Sequence, residues 1–234
     1  MAGKTVSGKA MASVTVENYL KHIYVAQEEL GGERVPMGQI ARNLGVTPGT
    51  ATTMVKTLAR QGMLEYEPRG GAQLTDPGRS LALKILRRHR LIEFFLVDKL
   101  KMDWREIHAE AEKLEHAISD RLLEQLDAYL GHPEFDPHGD AIPTANGTLA
   151  RRELRPLAEA NTGEIVRVAR LSDTDNDFLD FAARKGLTPG RRWRITARDM
   201  HAACLTLNPA DEVTPAEQEF VIALSAAERI SVEV

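Results

Sequence analysis

Apolar residues return at helical spacing from Val14 to Glu29, where Val16, Leu20, Ile23 and Tyr24 share one face and Thr15 is placed to cap the start. Ile40, Ala41 and Leu44 then mark a short second helix that ends at Gly45. Thr47 and Pro48 open a third, which turns Ala51, Met54, Val55 and Leu58 inward, leaves Thr50, Thr52, Thr53 and Lys56 outward, and stops at Gly62. Helix, short turn, helix is the helix-turn-helix pattern, and the stretches MLEYEP and AQLT, joined at Gly70-Gly71, add a hairpin wing. Asp76-Pro77-Gly78 starts a long helix with Ile85, Leu86, Ile92 and Leu96 inward. Another helix is expected from just after Met102-Asp103 to about Leu130, with Ile107, Ala111, Leu114, Ile118 and Leu122 as its apolar stripe. Beyond the Pro-, Gly- and Asp-rich stretch GHPEFDPHGDAIPTANGTL the period changes: GEIVRVARL, LTPGRRWRITARD and RISVEV read as strands and DFLDFAARKG as a short helix. The patterning predicts an α+β protein with a flexible arm over 1–13, a winged helix-turn-helix domain over 14–83, a helical domain over 84–143, a linker over 144–155 and a small β-barrel domain over 156–234.

Charge sharpens this division. Between Val35 and Ile92 nine Lys/Arg face three Asp/Glu, a balance that suits a polyanion; between Asp103 and Ile142 three face eleven, a balance that suits a cation. The hydroxyl-rich face of the third helix and the basic wing tip point to DNA rather than to a protein partner. Thr47, Thr50, Thr53 and Lys56 are the expected operator contacts, with Arg42, Arg60 and Arg69 on phosphates. The 43% hydrophobic and 27% charged composition is that of a globular protein with a sizeable core. No apolar run suits a signal peptide or approaches the ~20 residues of a membrane span, and a single cysteine, Cys204, fits a reducing compartment. A cytoplasmic protein is expected.

The helical domain carries a second kind of stripe. At 3.6 residues per turn His108, Glu112, Glu115 and His116 fall within roughly 100° of one another. His89 and Glu93, at i and i+4, repeat the pattern on the preceding helix. One such pair is usually a weak surface ion pair. Two helices that both line an apolar seam with imidazole and carboxylate can instead converge on a cation, and a donor set without thiolate or thioether suits Mn(II) or Fe(II). Catalysis finds no support: there is no HExxH, no GxxxxGK loop and no patterned partner for Cys204, so the chain is read as no enzyme. His132 and His138, beside prolines, read as structural histidines.

The winged helix-turn-helix followed in order by RRHRLIEFFL, IHAEAEKLEHAISD and HPEFDPHGDAIP resembles the DtxR (diphtheria toxin repressor) family of metal-dependent transcriptional regulators over about Val14 to Pro143. The C-terminal part resembles the SH3-like, FeoA-type domain of its longer members. The resemblance implies a homodimer that binds Mn(II) or Fe(II) and then double-stranded operator DNA, repressing metal-homeostasis genes, with 84–143 as the metal-binding and dimerisation domain. It implies an ancillary site of His89, Glu93 and His108, completed from the C-terminal domain by Asp173, Asp175 or Asp177. It also implies a primary site of Glu112, Glu115 and His116 with Asn18 from the first helix. Glu112 stands where iron-type members have cysteine, a manganese-type choice of a harder ligand. Asn18 and Lys21 stand where manganese-type members are acidic. That departure weakens the anchor from the first helix, so Mn(II) is the expected metal on the strength of Glu112, and Fe(II) the alternative; the competing reading is a metal-independent winged-helix regulator of another ligand.

Overall fold

The computed structural model describes residues 13–172, 175–211 and 218–233, so all of the expected arm except Ser13 lies outside the described residues. Two compact units divide after Arg87. In the first, α1 (Val14–Glu29) is capped by Ser13 rather than Thr15: the Ser13 side chain accepts from Val16 N, with the cap residue itself extended. α2 (Met37–Asn43) and α3 (Pro48–Arg60) form the helix-turn-helix, with Thr47 capping α3 and Pro48 at its first turn. Gly45 and Gly62 take the positive φ that ends each helix. The buried faces carry Leu20, Ile23, Tyr24, Ile40, Ala51, Val55 and Leu58. β1 (Leu64–Glu67) and β2 (Gly71–Leu74) make the antiparallel wing, and Val35 bridges to Ala72 on its outer side. Gly71 is required there, because a Cβ would lie 2.4 Å from the Val35 carbonyl oxygen.

α4 (Asp76–Asp98) runs past the division into the second unit. The single helix expected from after Asp103 to about Leu130 is two: α5 (Ile107–Leu114) and α6 (Asp120–Tyr129). The helix ends at Leu114, and Ser119 takes an extended conformation from which its side chain accepts the Leu122 amide and starts α6 afresh. The break also revises the apolar stripe. Ile107 and Ala111 are buried with Ile92 and Leu96, whereas Leu114 and Leu122 are exposed.

The C-terminal part is a six-stranded antiparallel sheet in the order β3-β8-β4-β5-β6-β7. Its strands are β3 (Arg155–Pro156), β4 (Ile165–Leu171), β5 (Arg192–Asp199), β6 (Cys204–Pro209), β7 (Phe220–Ala223) and β8 (Ile230–Glu233). α7 (Asn176–Arg184) and the short α8 (Leu224–Ala227) complete it. Bulges between Val168 and Arg170 and between Ile195 and Ala197 bend the sheet around a core of Val166, Val168, Leu179, Leu187, Trp193, Ile195, Leu205 and Leu207. Strands β4, β5 and β8 and helix α7 are those expected from the sequence; β3, β6, β7 and α8 are additional.

Candidate metal centre

α4, α5 and the turn after α5 bring the two His/Glu groups together: His108 and Glu112 are on α5, whereas Glu115 is its C-cap and His116 lies in the following turn rather than on the one helical face expected. His89 is the hub: its Nδ1 lies 2.5 Å from Glu115 Oε2, and its Nε2 lies 3.0 Å from Glu93 Oε1 and 3.1 Å from His108 Nδ1. His108 Nδ1 is 3.3 Å from Glu93 Oε1, and its Nε2 is 3.7 Å from Glu112 Oε1. Among the described residues three sets of donor atoms result, each within 4.8 Å of one another: His89, Glu93 and His108; His89, Glu112 and Glu115; and Glu93, Asp136 and His138. His89 thus stands in both of the first two sets, not only in the ancillary one. His116 Nε2 lies 3.2 Å from Glu115 Oε1, beside the second set.

The third set was missed from sequence. Asp136 and His138 lie in the 135–142 loop after α6, where Asp136 Oδ1 accepts the amides of His138 and Asp140, each at 2.9 Å. His138 Nε2 donates to the Trp104 carbonyl at 2.9 Å. A carbonyl only accepts, so Nε2 carries a proton, and in the neutral ring Nδ1 is the lone pair. His138 is therefore structural at one nitrogen, as expected, and available as a ligand at the other. The acid-x-His spacing of Asp136 and His138 was the available signal. His132, by contrast, is exposed and paired with Asp127 at 2.7 Å.

The cluster is electrostatically unusual. Glu93, Glu115 and Asp136 are buried carboxylates, and His89 and His138 are buried with them. Burial alone would push the Glu93 carboxyl up. The charge of His89 and the hydrogen bonds from His108 and His89 outweigh it and hold the group well below the usual carboxylate range. Glu93 Oε2 and His138 Nδ1 are buried without a hydrogen-bond partner among the described residues. Such atoms are costly to bury and call for a partner, such as a bound ion or an ordered water. A divalent cation fits this donor set: it would satisfy both orphaned atoms and offset the converging negative charge.

The other expected ligands divide. In the first unit, Asn18 Oδ1 is likewise buried without a hydrogen-bond partner among the described residues. Asp175 is occupied as the cap of α7, accepting from Asp177 N and Phe178 N, and pairs with Arg229 at 2.9 Å. Asp177 is exposed in the first turn of α7, and Asp173 lies outside the described residues. Neither Asp175 nor Asp177 joins the converging donor sets, because the cap geometry turns Asp175 to its own helix.

The residues expected at DNA share one property: Arg42, Thr47, Thr50, Thr53, Lys56, Arg60 and Arg69 are all exposed. Thr53 gives its hydroxyl proton to Gly49 O at 3.0 Å, leaving its oxygen lone pairs and methyl outward. Arg69 sits at the wing tip with φ 70. Arg34 ties the wing down through Glu65 at 2.9 Å.

A winged helix-turn-helix joined to a buried imidazole-carboxylate cluster defines a class: a metal-responsive DNA-binding regulator. Comparison with known proteins gives the family. The iron dependent repressor N-terminal DNA binding domain matches residues 11–72, the iron dependent repressor metal binding and dimerisation domain matches 75–144, and the FeoA domain matches 155–234. The iron-dependent repressor IdeR of Mycobacterium leprae (strain TN) is 32% identical over 190 residues, which cover 76% of this chain and 82% of that protein. A solved manganese-dependent transcriptional repressor in complex with manganese has a TM-score of 0.83 at 38% identity, covering 93% of this chain and 98% of its own. The repressor ScaR with bound Zn2+ has a TM-score of 0.76 at 35% identity, over 93% and 98% of the two chains. The chain belongs to the iron-dependent, or DtxR, family of metal-dependent transcriptional repressors. Among the described residues no helix is long and apolar enough to cross a membrane.

Proposed function

We propose that this protein is a cytoplasmic, non-enzymatic, homodimeric repressor that binds operator DNA when loaded with Mn(II), with Fe(II) as the alternative metal, and controls metal-homeostasis genes. The observation that carries the reading is the buried hub at His89, whose two ring nitrogens meet a carboxylate from α4, Glu93, and one from the C-cap of α5, Glu115. The proposed ligands are His89, Glu93, His108, Glu112, Glu115 and His116, with Asn18 kept for its unsatisfied carbonyl oxygen and Asp136 and His138 added. When bound, the cation would take over the positive charge that the protonated imidazoles otherwise supply to the carboxylates. The preference for Mn(II) rests on the absence of sulfur donors, since carboxylate and imidazole are hard to borderline ligands.

Each part of the chain has its own task. Glu93, Glu115 and His89 preassemble the donors; Thr47, Thr50, Thr53 and Lys56 meet base edges; Arg42, Arg60 and Arg69 neutralise phosphates, which makes affinity salt-dependent. The exposed Leu114, Leu122 and Tyr129 of the α5–α6 region offer apolar surface for a second copy. Metal controls DNA binding to the extent that the two binding events favour the same conformational state.

The test is retention of a genomic-fragment pool by the purified protein, anaerobically, with Mn(II), Fe(II), Zn(II) or EDTA. Specific fragments retained with Mn(II) and released by EDTA are expected. Equal retention in EDTA contradicts the metal switch and favours the metal-independent regulator.

A further inference from the structure

The 135–142 loop is held from two sides. Toward α4 it presents Asp136 and His138 to Glu93. On its other side it is clamped to β4 of the C-terminal sheet. The Leu171 amide donates to the His138 carbonyl at 2.9 Å, and Gly139 packs so tightly on the strand that a Cβ would lie 1.9 Å from the Ala169 carbonyl oxygen. The contact falls at the bulge between Val168 and Arg170, the kind of irregularity that re-aims a side chain. From there Arg170 Nε donates to Asp140 Oδ1 at 2.8 Å.

Asp140 is the junction. The same oxygen also accepts from Arg90 on α4, at 3.2 Å, one residue after the hub histidine. Arg90 further donates to the Ala141 carbonyl at 2.6 Å and lies 3.5 Å from Asp136 Oδ2. The Asp140 and Arg90 side chains are largely buried, at 12% and 13% exposed, so their charge-assisted bond is sheltered from solvent, whereas Arg170, at 38% exposed, reaches the same carboxylate from the surface. The loop thus has few ways to move without breaking contacts to both the helix and the sheet.

We propose that Arg170 is a positioning residue for the metal centre. Through Asp140 it fixes the loop that carries Asp136 and His138, so the C-terminal domain sets metal affinity by holding ligands in place. This rests on reading Glu93, Asp136 and His138 as cation ligands. Residues that orient metal ligands typically change affinity by about 10–100-fold when removed.

The experiment measures Mn(II) affinity and stoichiometry, without DNA, for the full chain and for Arg170→Ala, Arg170→Lys, His138→Ala and the Arg170→Ala/His138→Ala double variant. Circular dichroism of the metal-free proteins checks folding. Arg170→Ala is expected to weaken one class of site about tenfold, Arg170→Lys to recover most of it, and Arg170→Ala to add nothing once His138 is gone. Wild-type affinity in folded Arg170→Ala, or an equal further loss in the His138→Ala background, overturns the positioning role. If His138→Ala itself binds Mn(II) with unchanged affinity and stoichiometry, the cation reading of the third set fails and the inference with it. If only Arg170→Ala is silent, that reading stands and the inference alone is lost.

Discussion

Glu93 is fully buried, yet its carboxyl is held ionised by imidazole neighbours, and one of its oxygens is unpaired among the described residues. A purely structural ion pair has no need of an orphaned oxygen, whereas a ligand does. The residue scale also separates this cluster from an ordinary surface carboxylate. At Glu164 the Asn161 side chain donates at 3.0 Å, the Asn161 amide at 3.1 Å, and Arg155 pairs with the same carboxylate, together lowering its pKa from 4.5 to about 2. Because the folded value lies below the unfolded one, the stabilisation is present above about pH 4.5 and is lost as pH falls toward 2. The difference in melting temperature between wild type and Glu164→Gln is therefore expected to narrow steadily from pH 5 to pH 3; a pH-independent difference would contradict it.

At the scale of elements, the chain breaks between α5 and α6, and Leu114 and Leu122 on either side of the break are exposed while Ile107 and Ala111 stay inside. Ser119 starts α6 after that break by accepting the Leu122 amide at 3.2 Å. Ser119→Ala should cost about 1 kcal/mol, the usual loss of a helix cap. For a chain of this size that lowers the melting temperature by about 2–4 °C, measurable by circular dichroism. The break was hard to see beforehand because the apolar period continues through it. The helix-turn-helix was legible because its signals are local: Thr47 and Pro48 at one helix start, Gly45 and Gly62 at two helix ends. The His/Glu stripes were legible for the same reason, since i, i+4 spacing is written in the chain. Asp136 and His138 were not, because they meet Glu93 only through a tertiary loop. The Asp175 expectation failed to anticipate that a carboxylate just before a helix is claimed by that helix's amides.

For the whole molecule, a single chain joins a basic, hydroxyl-rich surface to a buried acidic cluster, and the family to which it belongs consists of metal-dependent transcriptional repressors. The cluster must be a cation site before it can be a switch. The most direct measurement is anaerobic equilibrium binding of Mn(II), read from the EPR signal of the free ion, for wild type and His89→Ala. Because His89 touches Glu93, Glu115 and His108 at once, its removal is expected to lower both stoichiometry and affinity, the latter by at least about tenfold. Wild-type protein that leaves Mn(II) free, or a folded His89→Ala variant that binds it as wild type does, would contradict the metal centre itself.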